Sequence, residues 1–199
     1  MLFESEEHDM DTYAVELNSF VDTVLTKVYD LGTGRNMLFS SFNPDICLLL
    51  SFKQPSIPIL FLSDAGTSPV GDIRASSLQE AIRFASRWNL LGVVSAAEPL
   101  VTCPRLIRVV KESGLVCVSY GTLNNNPTMV ARQAKEGIDA VIVDSVLAIR
   151  KELTAAQAGK MNGDADGDGA GKVIEVPQVI TSGKANGVTT NGHGQNGHA

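Results

Sequence analysis

Up to about residue 157, the hydrophobic and polar positions of this chain alternate between two kinds of segment. Five short runs are apolar almost throughout and rich in β-branched residues, which is typical of strands buried on both faces of a sheet. They are NMLFSSF (36–42), PILFLSD (58–64), LGVVSAA (91–97), LVCVSY (115–120) and AVIVD (140–144). Segments with helical spacing of apolar residues separate them, at 44–53, 77–89, 103–113 and 127–137. This alternation predicts a parallel sheet whose strands are joined by helices.

A further helix is predicted on each side of these units. Apolar residues recur at helical spacing from Tyr13 to Leu31 and stop at Gly32, which predicts a helix ended by a glycine cap. The last helix is predicted over about 145–156. Three of the connecting helices are predicted to begin with a proline, which suits the first helical position because its missing N–H has no partner to lose there; these prolines are Pro44, Pro104 and Pro127.

Two architectures fit five such βα units. One is an open, doubly wound sheet of the flavodoxin type, and the other is part of an eight-unit (β/α) barrel. No glycine-rich phosphate loop follows any of the five runs, which weakens the nucleotide-binding form of the open sheet. Periodicity alone leaves both architectures open.

Composition changes near residue 157. The segment 158–199 is rich in Gly, Asp and Asn, and no aromatic residue follows Tyr120, so we predict a disordered tail. Within it, DADGDGAGKVIE (164–175) fits the calcium-loop pattern D-x-[DN]-x-[DN]-G-x5-E. No second loop occurs and no helix can follow this one, so a calcium-binding tail is kept only as an alternative. Residues 1–12 are predicted to form an acidic loop.

Charge and cysteine content narrow the kinds of partner and the cellular compartment that we expect for this protein. A net charge of -6 argues against a nucleic-acid partner, which needs clustered Lys and Arg. No apolar run approaches the roughly 20 residues of a membrane span, and the acidic N-terminus is not a secretory signal. The three cysteines lack a C-x-x-C pair and lie in apolar segments, so we expect all three to be buried and reduced: Cys47, Cys103 and Cys117. We therefore expect a cytoplasmic protein.

Candidate chemistry lies where the runs end, because the carboxyl ends of parallel strands form the working face in either architecture. Carboxylates there could hold a metal or move a proton, and hydroxyls and amides could bind phosphate or a polyol. Alternatively, the aspartates at 64 and 144 only cap the following loops. No histidine lies between His8 and His193, so the core has no imidazole for acid–base catalysis. The candidates are Ser40, Ser41, Phe42, Ser63, Asp64, Glu98, Tyr120, Asn124, Asn125 and Asp144.

Three stretches carry a family resemblance: NMLFSSFNPDICLLL, PILFLSD and GLVCVSYGTLNNNPTMVARQAKEGIDAVIVDSV. In this order they resemble the C-terminal half of the glycerophosphodiester phosphodiesterase domain, in the fungal cytosolic form that acts on glycerophosphocholine. The resemblance covers about 13–157 and implies an α/β fold, a partial (β/α)8 TIM barrel with about five C-terminal βα units. It also implies four substrate-binding residues, Ser41, Phe42, Tyr120 and Asn124. Tyr120 or Gly121 stands near the family's usual tryptophan.

The same resemblance implies a reaction, a metal cofactor and a missing part of the barrel that the reaction requires. Family members hydrolyse glycerophosphodiesters to glycerol 3-phosphate and an alcohol, using two histidines and a divalent magnesium or calcium ion. Their His-Arg-Gly, Glu-x-Asp, His-Asp and Glu-x-Lys motifs belong to the preceding strands, so we expect no catalytic residue and no metal ligand in this chain. We expect a fragment that is inactive alone and whose partner is the missing N-terminal half of the barrel. A non-catalytic phosphate-signalling regulator with a degenerate barrel is the alternative.

Overall fold

Five parallel strands form one sheet in the computed structural model, which describes residues 15–161 and the side chains of residues 15–155. Their order in the sheet is their order in the chain, and every neighbouring pair is parallel. The predicted parallel sheet is therefore confirmed, with shorter first and last strands than the apolar runs indicate. The strands are β1 (Phe39–Ser41), β2 (Ile59–Ser63), β3 (Gly92–Ala96), β4 (Val116–Tyr120) and β5 (Ala140–Val141).

Helices connect the strands and flank the sheet. Short 3-10 helices at Ile73–Ala75 and Thr122–Asn125 lie in the connections after β2 and β4. One short helix, directly after β3, is absent from the sequence prediction. The α-helices are α1 (Leu17–Leu31), α2 (Pro44–Lys53), α3 (Leu78–Arg87), α4 (Ala97–Thr102), α5 (Arg105–Glu112), α6 (Pro127–Lys135) and α7 (Val146–Met161).

Local hydrogen bonds explain where several helices begin. The Asn43 side chain accepts hydrogen bonds from the backbone N–H groups of Asp45 and Ile46, at 2.9 and 3.2 Å, and proline follows it as the first residue of α2. Asn126 caps α6 in the same way. The proline prediction is confirmed at both helices. It is wrong by one residue at Pro104, because the chain breaks after α4 and α5 begins at the next residue.

The sheet order distinguishes between the two architectures. A doubly wound sheet reverses its strand order at a switch point, whereas consecutive strands of a barrel stay neighbours. No reversal occurs from β1 to β5, so the five units form part of a (β/α) barrel. Between residues 15 and 161, the outer edges of β1 and β5 pair with no other strand. The rest of the barrel would continue from these two edges.

The two faces of the sheet have different surroundings. Phe61, Val93 and Cys117 face the helices and join a large buried cluster with helical residues. On the opposite face, Leu60 and Val94 belong to a small cluster made only of strand residues. We call this second side the inner face, because in a (β/α) barrel the side without helices faces the barrel interior.

The cysteines do not share one environment. Cys47 and Cys117 are buried, and burial raises the pKa of both thiols to about 12, so they remain protonated. Cys103 is exposed, at the break between α4 and α5, so the expectation that all three are buried is wrong for this residue. The apolar residues around Cys103 belong to two short helices, which leave the connecting residue at the surface.

The two ends of the chain carry predictions that the structure does not address. The acidic loop 1–12 and the calcium-loop pattern at 164–175 lie outside the described residues. Helix α7 continues to Met161, past the predicted helix end at 156 and into the first residues of the predicted tail. Among the described residues, no helix is long and apolar enough to cross a membrane.

Candidate substrate site at the carboxyl edge of the sheet

Four of the five strands have a serine at the carboxyl edge of the sheet, and the residue after that serine differs from strand to strand. The pairs are Ser41-Phe42, Ser63-Asp64, Ser95-Ala96 and Ser119-Tyr120. The last three serines form one row across β2, β3 and β4 in the sheet register, and all three are buried. Because successive side chains of a strand point to opposite faces, the serines face the helices and the residues after them face inward. The inner face therefore ends in Phe42, Asp64, Ala96 and Tyr120.

Three of these inward residues meet although they come from different strands. The Tyr120 hydroxyl donates a hydrogen bond to Asp64 Oδ1. The ring of Phe42 meets the Tyr120 ring edge-on, with centroids 5.8 Å apart and an interplanar angle of 85°. We call these three residues the Asp64 corner. The alternative that Asp64 only caps the following loop is wrong, because its carboxylate contacts Tyr120, 56 positions away. In the following turn, Thr67 contacts the backbone carbonyl of Asp64 and not its carboxylate.

Ala96 leaves room for the bond between Tyr120 and Asp64. It stands directly opposite Tyr120 in the register, on the strand between β2 and β4. Neighbouring strands lie about 4.8 Å apart, so Asp64 and Tyr120 are separated by roughly two strand spacings. A long side chain can span that distance over a methyl group, whereas a larger residue on β3 would stand in its way. The small residue on β3 thus belongs to the site geometry.

Tyr120 is a donor at neutral pH. Burial raises the pKa of its phenol above the ordinary value, and the hydrogen bond to Asp64 and the charge of that carboxylate raise it further. The phenol therefore keeps its proton and presents one aromatic ring and one occupied hydroxyl. These properties suit contact with a substrate and do not suit proton abstraction from one.

Ser41 lies next to the corner in sequence but faces the other way. Its Oγ accepts a hydrogen bond from the backbone N–H of Asn43 at 3.1 Å, and its carbonyl oxygen accepts a contact of 3.7 Å from the Cys47 thiol. Ser41 therefore holds the turn into α2. Of the two predicted residues on this strand end, Phe42 alone reaches the inner face.

Asn124 belongs to a closed hydrogen-bond cycle that is fully buried on the helix side. Gln133 Nε2 donates to Asn124 Oδ1 at 2.9 Å, and Asn124 Nδ2 donates to Ser119 Oγ at 3.0 Å. The single Ser119 proton goes to Gln133 Oε1 at 2.6 Å, which is closer than its 3.3 Å contact with Asn124. Asn124 also donates to the backbone carbonyl of Ile142 at 3.1 Å. The cycle therefore fixes the end of β4, which carries Tyr120, to the chain beyond β5.

Two loops beside the corner are tied by charged or amide groups. Arg74 contacts Asp45 at 2.6 Å and holds Asp72 through two guanidinium nitrogens, so the pKa of Asp72 is lowered, chiefly by those hydrogen bonds. This network fastens the connection after β2 to the start of α2. After β4, Asn125 donates to the Asp144 carboxylate at 2.6 Å and accepts from its backbone N–H at 2.9 Å.

The described residues do not by themselves fit a divalent metal. Members of the resembled family use such an ion. Nowhere between residues 15 and 155 do three or more His, Cys, Asp or Glu side chains come close enough to hold one. The sequence Glu7-His8-Asp9 matches the Glu-x-Asp and His-Asp patterns, which the family resemblance places on earlier strands. These three residues lie outside the described part of the chain.

Five consecutive parallel strands with an aromatic and acidic corner at their carboxyl edge define part of a (β/α)-barrel protein, a fold in which ligand sites generally lie at that edge. Comparison of sequences then gives the family. Residues 2–148 match the glycerophosphoryl diester phosphodiesterase family, and the chain belongs to it. The family resemblance of the sequence is thereby confirmed.

Curated relatives and solved structures agree with this assignment. The chain is 61% identical over 154 residues to glycerophosphocholine phosphodiesterase GDE1 of Eremothecium gossypii and 60% identical to its namesake of Candida albicans. Each match covers 77% of this chain and only 12% or 13% of the relative. A crystal structure titled putative glycerophosphoryl diester phosphodiesterase, from Silicibacter pomeroyi, has a TM-score of 0.58 at 19% identity, covering 70% of this chain and 45% of that one. The structural likeness confirms the partial barrel fold.

Proposed function

We propose that this chain provides the substrate-contacting carboxyl edge of a glycerophosphodiester phosphodiesterase that hydrolyses glycerophosphocholine to glycerol 3-phosphate and choline. The observation that carries the proposal is the contact between Phe42 and Tyr120, which brings the ends of β1 and β4 together on the inner face. Family membership and the names of the fungal relatives support the reaction and the substrate.

The four predicted site residues take two different roles in this proposal. Phe42 and Tyr120 contact the substrate directly, because their side chains reach the inner face at the carboxyl edge. Ser41 and Asn124 are positioning residues, because their hydrogen bonds lie on the helix side and fix the strand ends that carry the two rings. Ser41 and Asn124 therefore act on substrate binding through the rings.

The catalytic groups in this proposal come from outside residues 15–155. That part of the chain contains no histidine and no cluster of metal ligands. The barrel part at about 13–157 would therefore pair through its two open strand edges with the remaining strands of the domain, in the cytoplasm, and would be inactive alone. In this proposal, residues 1–12 and 158–199 flank the barrel part, although the family match already begins at residue 2.

Turnover measured on two proteins tests the proposal. One is the chain alone, and the other is a chimera in which the residues that precede the matching region in the Candida albicans relative are joined to this chain. With glycerophosphocholine and magnesium or calcium, we expect no glycerol 3-phosphate above a metal-free blank from the chain alone and clear release from the chimera.

Variants of the chimera test the site. Tyr120→Ala is expected to lower kcat/KM about tenfold or more, because it removes a ring and a hydroxyl that contact the substrate. Tyr29→Ala is the matched control, since Tyr29 is an exposed tyrosine on α1. Turnover by the chain alone, an inactive chimera, or equal losses in the two variants would contradict the proposal.

A further inference from the structure

We propose that Asp64 makes this site selective for a quaternary ammonium head group, by placing a fixed negative charge beside the rings of Phe42 and Tyr120. The inference rests on the proposed function, because it names the part of the substrate that this corner would hold. Asp64 is then a specificity-determining residue, distinct from the groups that perform hydrolysis.

The Asp64 carboxylate has a single side-chain partner in the described part of the chain. Asp64 accepts one hydrogen bond through Oδ1 from Tyr120. Among the side chains of residues 15–155, its Oδ2 has no hydrogen-bond partner, and no Lys, Arg or His forms an ion pair with it. Several other aspartates in that part of the chain are paired with a Lys or Arg: Asp22, Asp45, Asp72 and Asp139. Asp64 thus carries a negative charge that no described protein cation offsets.

Two aromatic rings lie beside that charge. Phe42 is 46% exposed although it is a large apolar residue, and the Tyr120 ring is half-buried against it. The two rings are nearly perpendicular, so together they offer surfaces in two directions. Aromatic faces attract cations through their quadrupole, and quaternary ammonium groups are the ligands most often held in this way.

The groups of the corner fit one class of cation better than others. A divalent metal requires several oxygen ligands, and the corner supplies one carboxylate. A primary ammonium donates three hydrogen bonds, for which the corner offers one free carboxylate oxygen. A quaternary ammonium donates none and spreads its charge over its methyl groups, so a nearby carboxylate and two rings satisfy it. The corner therefore matches choline and its trimethylammonium group.

Tyr120 supplies one of the two rings, and its hydroxyl also fixes the position of the Asp64 carboxylate. The phenol keeps its proton, since burial and the neighbouring carboxylate raise its pKa, and it remains a donor that holds Asp64 in place. Ala96 allows the contact by leaving the path across β3 free. The ring and the charge therefore reach the ligand as one preorganised unit.

Binding of small cations to the full 199-residue chain tests the inference without requiring turnover. The probes are tetramethylammonium and choline, compared with ethanolamine and with glycerol 3-phosphate, each titrated by calorimetry. We expect both quaternary cations to bind and ethanolamine to bind more weakly. Asp64→Asn keeps the side-chain shape and an acceptor for Tyr120 but removes the charge, and we expect it to weaken tetramethylammonium binding about tenfold.

Asp144→Asn is the matched control, because it removes a carboxylate that contacts Asn125 in the neighbouring loop and lies outside the corner. Tetramethylammonium affinity in this control should match that of the unmodified chain. Equal losses in the two variants, equal binding of ethanolamine and choline, or no binding of tetramethylammonium would each overturn the inference.

The result is distinguishable from failure of the proposed function. If tetramethylammonium binds through Asp64 and the chimera hydrolyses no glycerophosphodiester, the corner stands and the proposed reaction fails. If the chimera hydrolyses glycerophosphocholine and glycerophosphoglycerol equally well, and Asp64→Asn changes neither rate, the reaction stands and the selectivity of Asp64 is refuted.

Discussion

Replacing Ser119 by alanine tests the closed hydrogen-bond cycle under Tyr120. The substitution removes one hydroxyl, which donates to Gln133 Oε1 at 2.6 Å and accepts from Asn124 Nδ2 at 3.0 Å. All three residues are fully buried, so water cannot replace the lost partner. One carbonyl oxygen and one amide hydrogen are then left unpaired in the core.

The magnitude follows from these two orphaned groups. A buried polar group without a partner costs about 1–3 kcal/mol, and partial relaxation lowers the sum, so we expect Ser119→Ala to reduce the free energy of unfolding by about 2–4 kcal/mol. Ser95→Ala is the control, because Ser95 stands opposite Ser119 in the sheet and is equally buried. The Ser95 hydroxyl only donates to the carbonyl of Ala96, at 3.0 Å, so its removal should cost about 1 kcal/mol or less.

Urea denaturation of the full chain, followed by circular dichroism, measures both variants. With a slope of about 2 kcal/mol per molar urea, the midpoint of Ser119→Ala should fall by about 1–2 M and that of Ser95→Ala by less than about 0.5 M. If both variants lose the same free energy, the cycle contributes no more than a single local hydroxyl bond, and the reasoning about orphaned groups is refuted.

Three further predictions concern the inner face. Gly92→Ala would place a Cβ 2.0 Å from the backbone carbonyl oxygen of Val116, so it should reduce the free energy of unfolding by about 3 kcal/mol or more; near-native stability in urea would contradict the close strand approach. The pKa of Tyr120 is higher in the folded chain than in the unfolded chain, so stability should decline as pH rises above about 10, and Tyr120→Phe should reduce that decline; equal declines in urea midpoints would contradict it. Ala96→Leu should block the contact between Tyr120 and Asp64 across β3, so it should weaken tetramethylammonium binding about as much as Asp64→Asn does; unchanged affinity by calorimetry would show that this contact does not require a small residue at position 96.

The fold could largely be predicted from the order of apolar runs. Runs without polar alternation predict strands covered on both sides, and asparagine followed by proline marks the starts of α2 and α6. The choice between barrel and open sheet could not be made from periodicity, because the two share the same βα repeat and differ only in strand order. The sequence analysis does not predict helix α4 (Ala97–Thr102), because it extends the apolar run of β3 to residue 97 and begins the next helix only at 103.

The site could be predicted only in part, because its contacts join distant residues. The family resemblance predicts Phe42 and Tyr120 as site residues, and the structure places their rings in contact. The bond between Tyr120 and Asp64 spans 56 residues and depends on the sheet register, which no local pattern encodes. A usable signal does exist, since aligning the strand ends on their serines would have placed Phe42, Asp64, Ala96 and Tyr120 on one face.

A crystal structure of the chimera with glycerophosphocholine bound, prepared without the divalent metal so that the substrate stays intact, tests the central claim most directly, namely that the carboxyl edge of this chain contacts the substrate. The account predicts that the ligand lies on the inner face, touching Phe42 and Tyr120, with its trimethylammonium nitrogen within about 6 Å of a ring centroid. A ligand bound without contact to either ring, or with the trimethylammonium group directed away from Asp64 into solvent, would contradict it.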